Sequence, residues 1–358
     1  LILADLPSWL VSNPYIGLKK IIGEYLQCTV KRVDIWDIEI ICNDQGCIKK
    51  VTVDDKGKRQ KGPFVTLRAS TGEEVASRVF KRKLSNYCSI GIDARIGLGF
   101  DKSRSKNRII NKIVYAWEGF KKFIKPSTNM QTVIDRMEYL VEFERVDKGG
   151  SPRAGGSTPL RKREGGDTQA SSSPLPVINQ KVDGVDHEDS GVSERIINGY
   201  RVYTREIFQT SKTNRTLTIN PINLIGLNIP SYMGGIQNMW DKADIHAPIK
   251  ALGSEKVKYE KNQDMGDGEI EFLSFTGNLR FGVLERLLTG GGKRVAQGTG
   301  PFLISFKQSE DPVNKPLVTY AQVDGEYMQL VNPLFFKISL TPDLPQGKIH
   351  TLFKGFKG

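Results

Sequence analysis

Between residues 195 and 353 the apolar residues come in short runs, at 217–219, 222–229, 270–274, 302–306, 329–331 and 335–340, each bounded by glycine or another turn former. Runs this short suit strands rather than packed helices. Gly266, Gly268, Gly290 to Gly292 and Gly298 mark the breaks, and one helix is predicted at 281–288. The spacing predicts an antiparallel β-sandwich. No unbroken apolar run of about 18 residues occurs, so a spanning helix is not expected.

The first half is more mixed. Residues 13–27 carry Ile16, Leu18, Ile21, Ile22, Tyr25 and Leu26 at helical spacing after Pro14, and 28–41 alternate through Val30, Val33, Ile35, Ile38 and Ile40 as strands do. Residues 54–63 read as a charged loop, and 87–99 as a short apolar run broken by Gly91, Gly97 and Gly99. Residues 107–125 predict a helix with Ile109, Ile110, Ile113, Val114, Trp117 and Phe120 on one stripe, stopped by Pro126. A second helix or a long strand follows over 130–146. At Asp147 the composition changes to Gly, Ser, Pro, Arg and Asp as far as Glu194. Such a stretch buries too little apolar surface to offset its ordering entropy, and a disordered insertion is expected over 147–194.

Formal net charge is +12 in 358 residues, which favours anionic partners. The cations are scattered among strands and loops, at Lys81 to Lys83, Lys102 to Arg108 and Lys121 to Lys125, without an RNA-recognition signature or zinc-finger spacing. Nucleic acid is therefore not the expected partner. Cys28, Cys42, Cys47 and Cys88 form no CxxC pair and only three histidines are present, which argues against a zinc site. Cys42 and Cys47 flank a Gly-containing turn; a disulfide is one reading, reduced thiols in a cytosolic protein the other. The apolar stretch 1–11 is broken by Asp5 and Pro7 and lacks a basic leader, so it is read as the start of a cut chain rather than a signal peptide.

Asn86-Tyr87-Cys88-Ser89-Ile90-Gly91-Ile92-Asp93-Ala94 resembles the opening signature of the eukaryotic diacylglycerol kinase accessory domain. The likeness continues through Gly99-Phe100, the basic stretch to Arg108, Asn111-Lys112, Tyr115 and Gly119. It resumes at 223–240 (NLIGLNIPSYMGGIQNMW), Asp267-Gly268 with Glu271-Phe272, Thr276-Gly277 with Gly282, 294–298 (RVAQG) and 322–326 (QVDGE). Upstream, Val33-Asp34-Ile35-Trp36 is similar to the Leu-Asp-Arg-Trp strand that ends the family's catalytic domain. The family's Gly-Gly-Asp-Gly loop, which cradles ATP phosphates, and its Gly-Thr-Gly-Asn-Asp segment do not occur in these 358 residues.

This resemblance implies an α+β, mainly β fold. Residues 1–41 would end a truncated α/β kinase domain; 42–146 and 195–358 would form the β-sandwich accessory domain, split by the insertion. It implies transfer of the ATP γ-phosphoryl group to diacylglycerol, giving phosphatidic acid, with ATP and Mg²⁺ required. The protein would be cytoplasmic and recruited peripherally to anionic membranes, and these residues alone would be inactive. A non-catalytic lipid- or partner-binding module and a sphingosine or ceramide kinase share the architecture.

Phosphoryl transfer to a hydroxyl needs a phosphate cradle, carboxylate-held Mg²⁺ and a base near the acceptor. By resemblance Glu326 is the base or a positioning carboxylate; alternatively Asp324-Gly325 is a hairpin turn and Glu326 a solvated strand start. Asp34 is expected in an aspartate–water–Mg²⁺ network, or else facing water at a strand end. Asp93 is assigned to the lipid glycerol or to a basic partner such as Arg95, or else to a structural hydrogen bond. Asp267 resembles a metal-binding turn of bacterial relatives, although a type I′ turn accounts for Asp267-Gly268 without metal. The paired and tripled glycines at 234–235 and 290–292 lack a following Lys-Ser/Thr and are read as turns.

Overall fold

The computed structural model describes residues 22, 23, 26, 28–53, 58–67, 74–104, 110, 111, 114, 117, 118, 128–145, 192–197, 200–210, 220–232, 236–245, 257, 258, 261–276, 292–342 and 350–353. The strands begin with β1 (Thr29–Arg32), β2 (Trp36–Val53), β3 (Arg59–Pro63), β4 (Val65–Leu67), β5 (Glu74–Ala76), β6 (Val79–Leu84) and β7 (Tyr87–Gly91), followed by helix α1 (Ile92–Ser103). After a 3-10 turn at Met130–Thr132 come β8 (Ile134–Arg145), β9 (Ser193–Ile197), β10 (Tyr200–Gln209), β11 (Asn223–Leu227), β12 (Ser231–Tyr232), β13 (Ile236–Gln237) and β14 (Asp244–Ile245). Then follow β15 (Val257–Lys258), β16 (Ile270–Ser274), β17 (Lys293–Gly298), β18 (Phe302–Phe306), β19 (Val318–Val323), β20 (Glu326–Leu340) and β21 (His350–Phe353).

β2 and β20 form the spine. They pair antiparallel from Trp36–Leu340 to Lys50–Met328, with the register broken where Cys42 and Cys47 oppose Pro333 and Val331. On one side of the break β20 pairs with β18 and β2 with β6; on the other, β20 pairs with β19 and β2 with β3. One strand pair is thereby shared by two sheets. The first runs β6-β2-β20-β18-β8-β10-β9, the second β3-β2-β20-β19-β7-β11-β16-β17. Strands that pass between sheets through a bulge are how sandwiches turn corners. Among the described pairs, β14–β17 is the parallel exception.

Asn332 holds the corner. Its φ is +46°, in the left-handed region that asparagine tolerates. Its N–H donates to Leu317 O (2.7 Å), its side-chain oxygen accepts from Leu317 N–H (2.8 Å), and its amide nitrogen donates to Pro312 O (2.8 Å) and Gln45 O (3.2 Å). Opposite it, a Cβ on Gly46 would stand 2.4 Å from Val331 O, so the bulge needs glycine there.

The two sheets close on one core. Trp36, Ile38, Phe302, Ile304 and Phe336 from the first meet Cys88, Ile90, Leu224, Phe272 and Val323 from the second. Phe272 and Phe302 meet edge-to-face, ring centroids 4.9 Å apart. α1 covers the second sheet. It starts at Gly91 (φ +124°), and Gly97 leaves room for the Tyr327 ring, which a Cβ would meet at 1.8 Å.

Several expectations change. The charged loop 54–63 becomes the edge strand β3 from Arg59 onward, whose polar sequence with Arg59 and Lys61 is permitted because an edge faces water; 54–57 lie outside the described residues. The run 87–99 is a strand followed by a helix, its glycines serving close approach rather than turns. The ambiguous segment 130–146 is a strand after one 3-10 turn. Residues 329–331 and 335–340 belong to one strand, β20. The expected division at 41/42 falls inside β2, while β1 pairs with β21 at the other end of the chain. Of the predicted insertion, 147–191 lie outside the described residues, and β9 begins within its final part. The predicted strand 217–219, the helix 281–288 and the glycines at 234–235 and 290–291 also lie outside them. Of the predicted helices 13–27 and 107–125, the described residues Ile22, Gly23, Leu26, Ile110, Asn111, Val114, Trp117 and Glu118 are all helical.

Asn332→Ala removes three side-chain bonds at a left-handed position and is expected to cost about 2–4 kcal/mol. A lower urea midpoint would register it; an unchanged midpoint would deny the residue its role at the corner.

Candidate functional site

The QVDGE segment is a tight hairpin. Asp324 and Gly325 both have positive φ (47° and 82°), as a two-residue type I′ loop requires, and Val323 pairs with Glu326. The Asp324 carboxylate accepts from Ser85 N–H (2.8 Å), Ser85 Oγ (2.9 Å), Asn86 N–H (2.9 Å) and Tyr87 N–H (3.1 Å). Four donors on one carboxylate fix the turn to the segment between β6 and β7. Glu326 stands at the start of β20, with its side chain 31% exposed.

Each oxygen of Glu326 meets a different cation. Lys50 Nζ of β2 lies 2.5 Å from Oε2, and Arg82 of β6 pairs with Oε1. The Lys50 ammonium also lies 4.6 Å from the Phe80 ring centroid and 4.8 Å from that of Phe64, within cation–π range. Lys50 is therefore held on three sides, whereas Arg82 is 57% exposed. An isolated surface ion pair contributes little, about 0–1 kcal/mol, but a shared carboxylate with a rigid lysine gains more from geometry.

Asp34 lies in the bend between β1 and β2 and is almost fully buried. Oδ2 accepts from Gly268 N–H (2.5 Å), Oδ1 pairs with Arg32 (3.2 Å), and its own N–H donates to Met265 O (2.8 Å). Burial pushes its pKa up; the Gly268 bond and Arg32 oppose this, while Asp267 and Asp264 add to it. A buried amide connects this acid to the hairpin. Asn228 Nδ2 donates to both Asp34 O (2.8 Å) and Ser85 O (2.6 Å), and its Oδ1 accepts from Trp36 Nε1 (2.8 Å). Asp34 and Glu326 thus flank one hydrogen-bonded node, Asn228–Ser85–Asp324, but their carboxylates turn to different partners.

Asp267 binds Lys261 Nζ through Oδ2 (2.5 Å) and the Glu269 N–H through Oδ1 (3.0 Å). Gly268 has φ +79° but Asp267 is not left-handed, so this is not the type I′ turn expected. The lysine ammonium, also 3.4 Å from Glu269 Oε2, supplies the positive charge that a metal would bring. Magnesium does not fit Asp34 or Asp267 in this arrangement: both oxygens of each carboxylate already have a donor or cation. Among the described residues, no group of three or more His, Cys, Asp or Glu is placed to hold a metal ion.

Asp93 sits in the first turn of α1, buried, and accepts from Ser89 Oγ and from Tyr232 OH (2.5 Å). Burial pushes its pKa up against these bonds. Arg95, named as a partner from sequence, lies over the Tyr320 ring instead, 5.7 Å from its centroid. Asp93 therefore ties β7, α1 and β12 together inside the protein.

Sequence reading singled out neither Lys50 nor Arg82 as partners of Glu326, and it gave Asn228 no role. The signal for Asn228 was its polarity inside an apolar run before Pro230. Lys50 and Arg82 carry none, since their partner is remote in sequence.

The family model of the diacylglycerol kinase accessory domain matches residues 83–156 and 187–327. Glu326, Asp324 and Asn228 fall inside the matched residues; Asp34, Lys50 and Arg82 fall outside them. The unmatched stretch between the two parts lies within the predicted insertion. No curated protein matches the chain. No helix among the described residues is long and apolar enough to cross a membrane.

Glu271 yields a pH prediction. It is fully buried, and burial, foremost, pushes its pKa up to about 8; Gln297 and Gln263 donate to it at 3.0 Å and 2.8 Å. An acid whose folded pKa is raised costs stability as pH climbs from its unfolded value to its folded one. Stability is expected to fall by on the order of 5 kcal/mol between about pH 4.5 and about pH 8 through this group. Glu271→Gln should flatten that fall in urea titrations; an identical slope would remove Glu271 as its source.

Proposed function

From the premise that this chain belongs to the diacylglycerol kinase accessory-domain family, we propose that it serves a lipid kinase that transfers the ATP γ-phosphoryl group to diacylglycerol, with Glu326 at the acceptor hydroxyl. The observation that carries this reading is Glu326 itself: a partly exposed carboxylate on a hairpin fixed by Asp324, facing two cations. Lys50 holds it in place, and the exposed Arg82 can swing aside to admit a hydroxyl. Glu326 takes the hydroxyl proton as that oxygen attacks the γ-phosphorus, the bond to the β-phosphate oxygen breaks, and ADP leaves. ATP and Mg²⁺ are held by groups other than the carboxylates described above, and Asp34 positions the strand that enters the node. Phosphatidic acid, an anionic product, suits the basic surroundings.

The double ion pairing of Glu326 also favours a second reading, in which the carboxylate is structural and the domain binds lipid or a kinase partner without acting on it. Glu326→Gln separates the two. In the full-length protein it is expected to lower phosphatidic acid formation by about tenfold or more, within the range of acid–base groups, with little change in melting temperature. Unchanged turnover with a lowered melting temperature would establish the structural reading.

A further inference from the structure

The stripe predicted on 107–125 is not wholly turned inward. Ile110 and Trp117, two helical turns apart, are 47% and 56% exposed, with Val114 between them on the same stripe. The neighbouring Glu118 is buried: a Cβ on Gly99 would stand 2.5 Å from its Oε2. Glu118 therefore packs against α1 one turn ahead of Lys102, and the exposed Trp117 is its neighbour in sequence.

Among the described residues around this end, cations outnumber acids. Lys49 and Lys61 are diagonal neighbours across β2 and β3, where Lys49 faces Pro63 and Val51 faces Lys61. Lys102 adds to them: the Lys61 ammonium is pushed below its ordinary value by burial first, then by Lys49 and Lys102. Arg59 donates to the Asp101 carbonyl (3.3 Å), and the half-buried Asp101 carboxyl lies between Arg104 and Arg59. From Lys102 to Lys125 the sequence carries eight Lys and Arg against one acidic residue, Glu118.

We propose that this face is a docking surface for an anionic lipid bilayer, with Ile110 and Trp117 entering the headgroup layer and Lys49, Lys61 and Lys102 meeting anionic headgroups. An apolar helical stripe bordered by cations is the chemistry that holds a protein in the interface plane, and tryptophan settles at headgroup depth. Complementary charge selects lipid over a neutral protein groove. The choice of a bilayer rests on the lipid-kinase reading; the surface itself does not need catalysis.

Co-sedimentation of the full chain with vesicles tests it, using phosphatidylcholine alone and equal parts phosphatidylcholine and phosphatidylserine. Binding is expected to the mixed vesicles and to weaken as salt rises. The Ile110→Ala/Trp117→Ala pair and the Lys61→Glu/Lys102→Glu pair should each weaken it about tenfold or more, with the far-ultraviolet spectrum unchanged. Trp117→Phe should retain most of the binding while losing a blue shift in tryptophan emission. Equal binding to neutral vesicles, or either pair binding like the parent, would overturn the proposal. So would absent vesicle binding together with a self-association or protein contact that Trp117→Ala abolishes. No ATP is needed, so failed vesicle binding removes this surface alone, and the kinase reading stands or falls separately on the Glu326→Gln turnover test.

Discussion

A single strand pair has to serve two sheets, and the rest of the architecture follows from how it bends. The β2–β20 ladder would be a flat ribbon without the bulge at Cys42 to Cys47 and the left-handed Asn332 opposite. With them, the halves of both strands diverge and each recruits its own neighbours. Phe272 and Phe302 can then meet although they belong to different sheets. The bend also carries the amino end of β20 back toward β6, which is why Arg82, paired in register with Ile38, reaches Glu326.

The acids divide by what surrounds them. Asp34, Asp93 and Glu271 are buried and bound largely by neutral donors, so desolvation dominates and their protons are held more tightly than in water. Asp267 and Glu326 sit nearer the surface, and cations take the part that backbone and side-chain donors play inside. Of this set, Glu326 combines exposure with a movable partner, which is what a group acting on an incoming hydroxyl needs. Asp93, sealed among Ser89 and Tyr232, instead secures the start of α1, whose Gly97 receives the ring of Tyr327 beside Glu326.

Much of the fold was legible because short, largely apolar runs such as Ile270–Ser274 and Phe302–Phe306 are strands buried on both faces, with an occasional polar residue such as Glu271 or Ser305 among them. Edge strands were harder: β3 is charged because one edge faces water, and charge imitates a loop. β20 read as two strands because Asn332-Pro333 has the composition of a turn, and the corner is indeed there, though pairing with β2 resumes on both sides of it. The hairpin at Asp324-Gly325 was readable from its dipeptide. Its anchors were not. Lys50 and Glu326 lie 276 positions apart, and Trp36 and Asn228 lie 192 apart, distances over which only the folded chain brings partners together. Trp117 fitted the helical period, yet period alone cannot say which way a stripe faces.

The unmatched residues 157–186 fall in the chain between Arg145, at the end of β8, and Ser193, at the start of β9, two strands that lie on either side of β10 at the outer margin of the first sheet. That margin is remote along the sheet order from the hairpin bearing Glu326. A chain leaving and rejoining at such a border pays a closure entropy that grows only logarithmically with its length. This junction can therefore carry grafted cargo, a fluorescent reporter or a second recognition module, without rewiring the β2–β20 corner on which the hairpin stands.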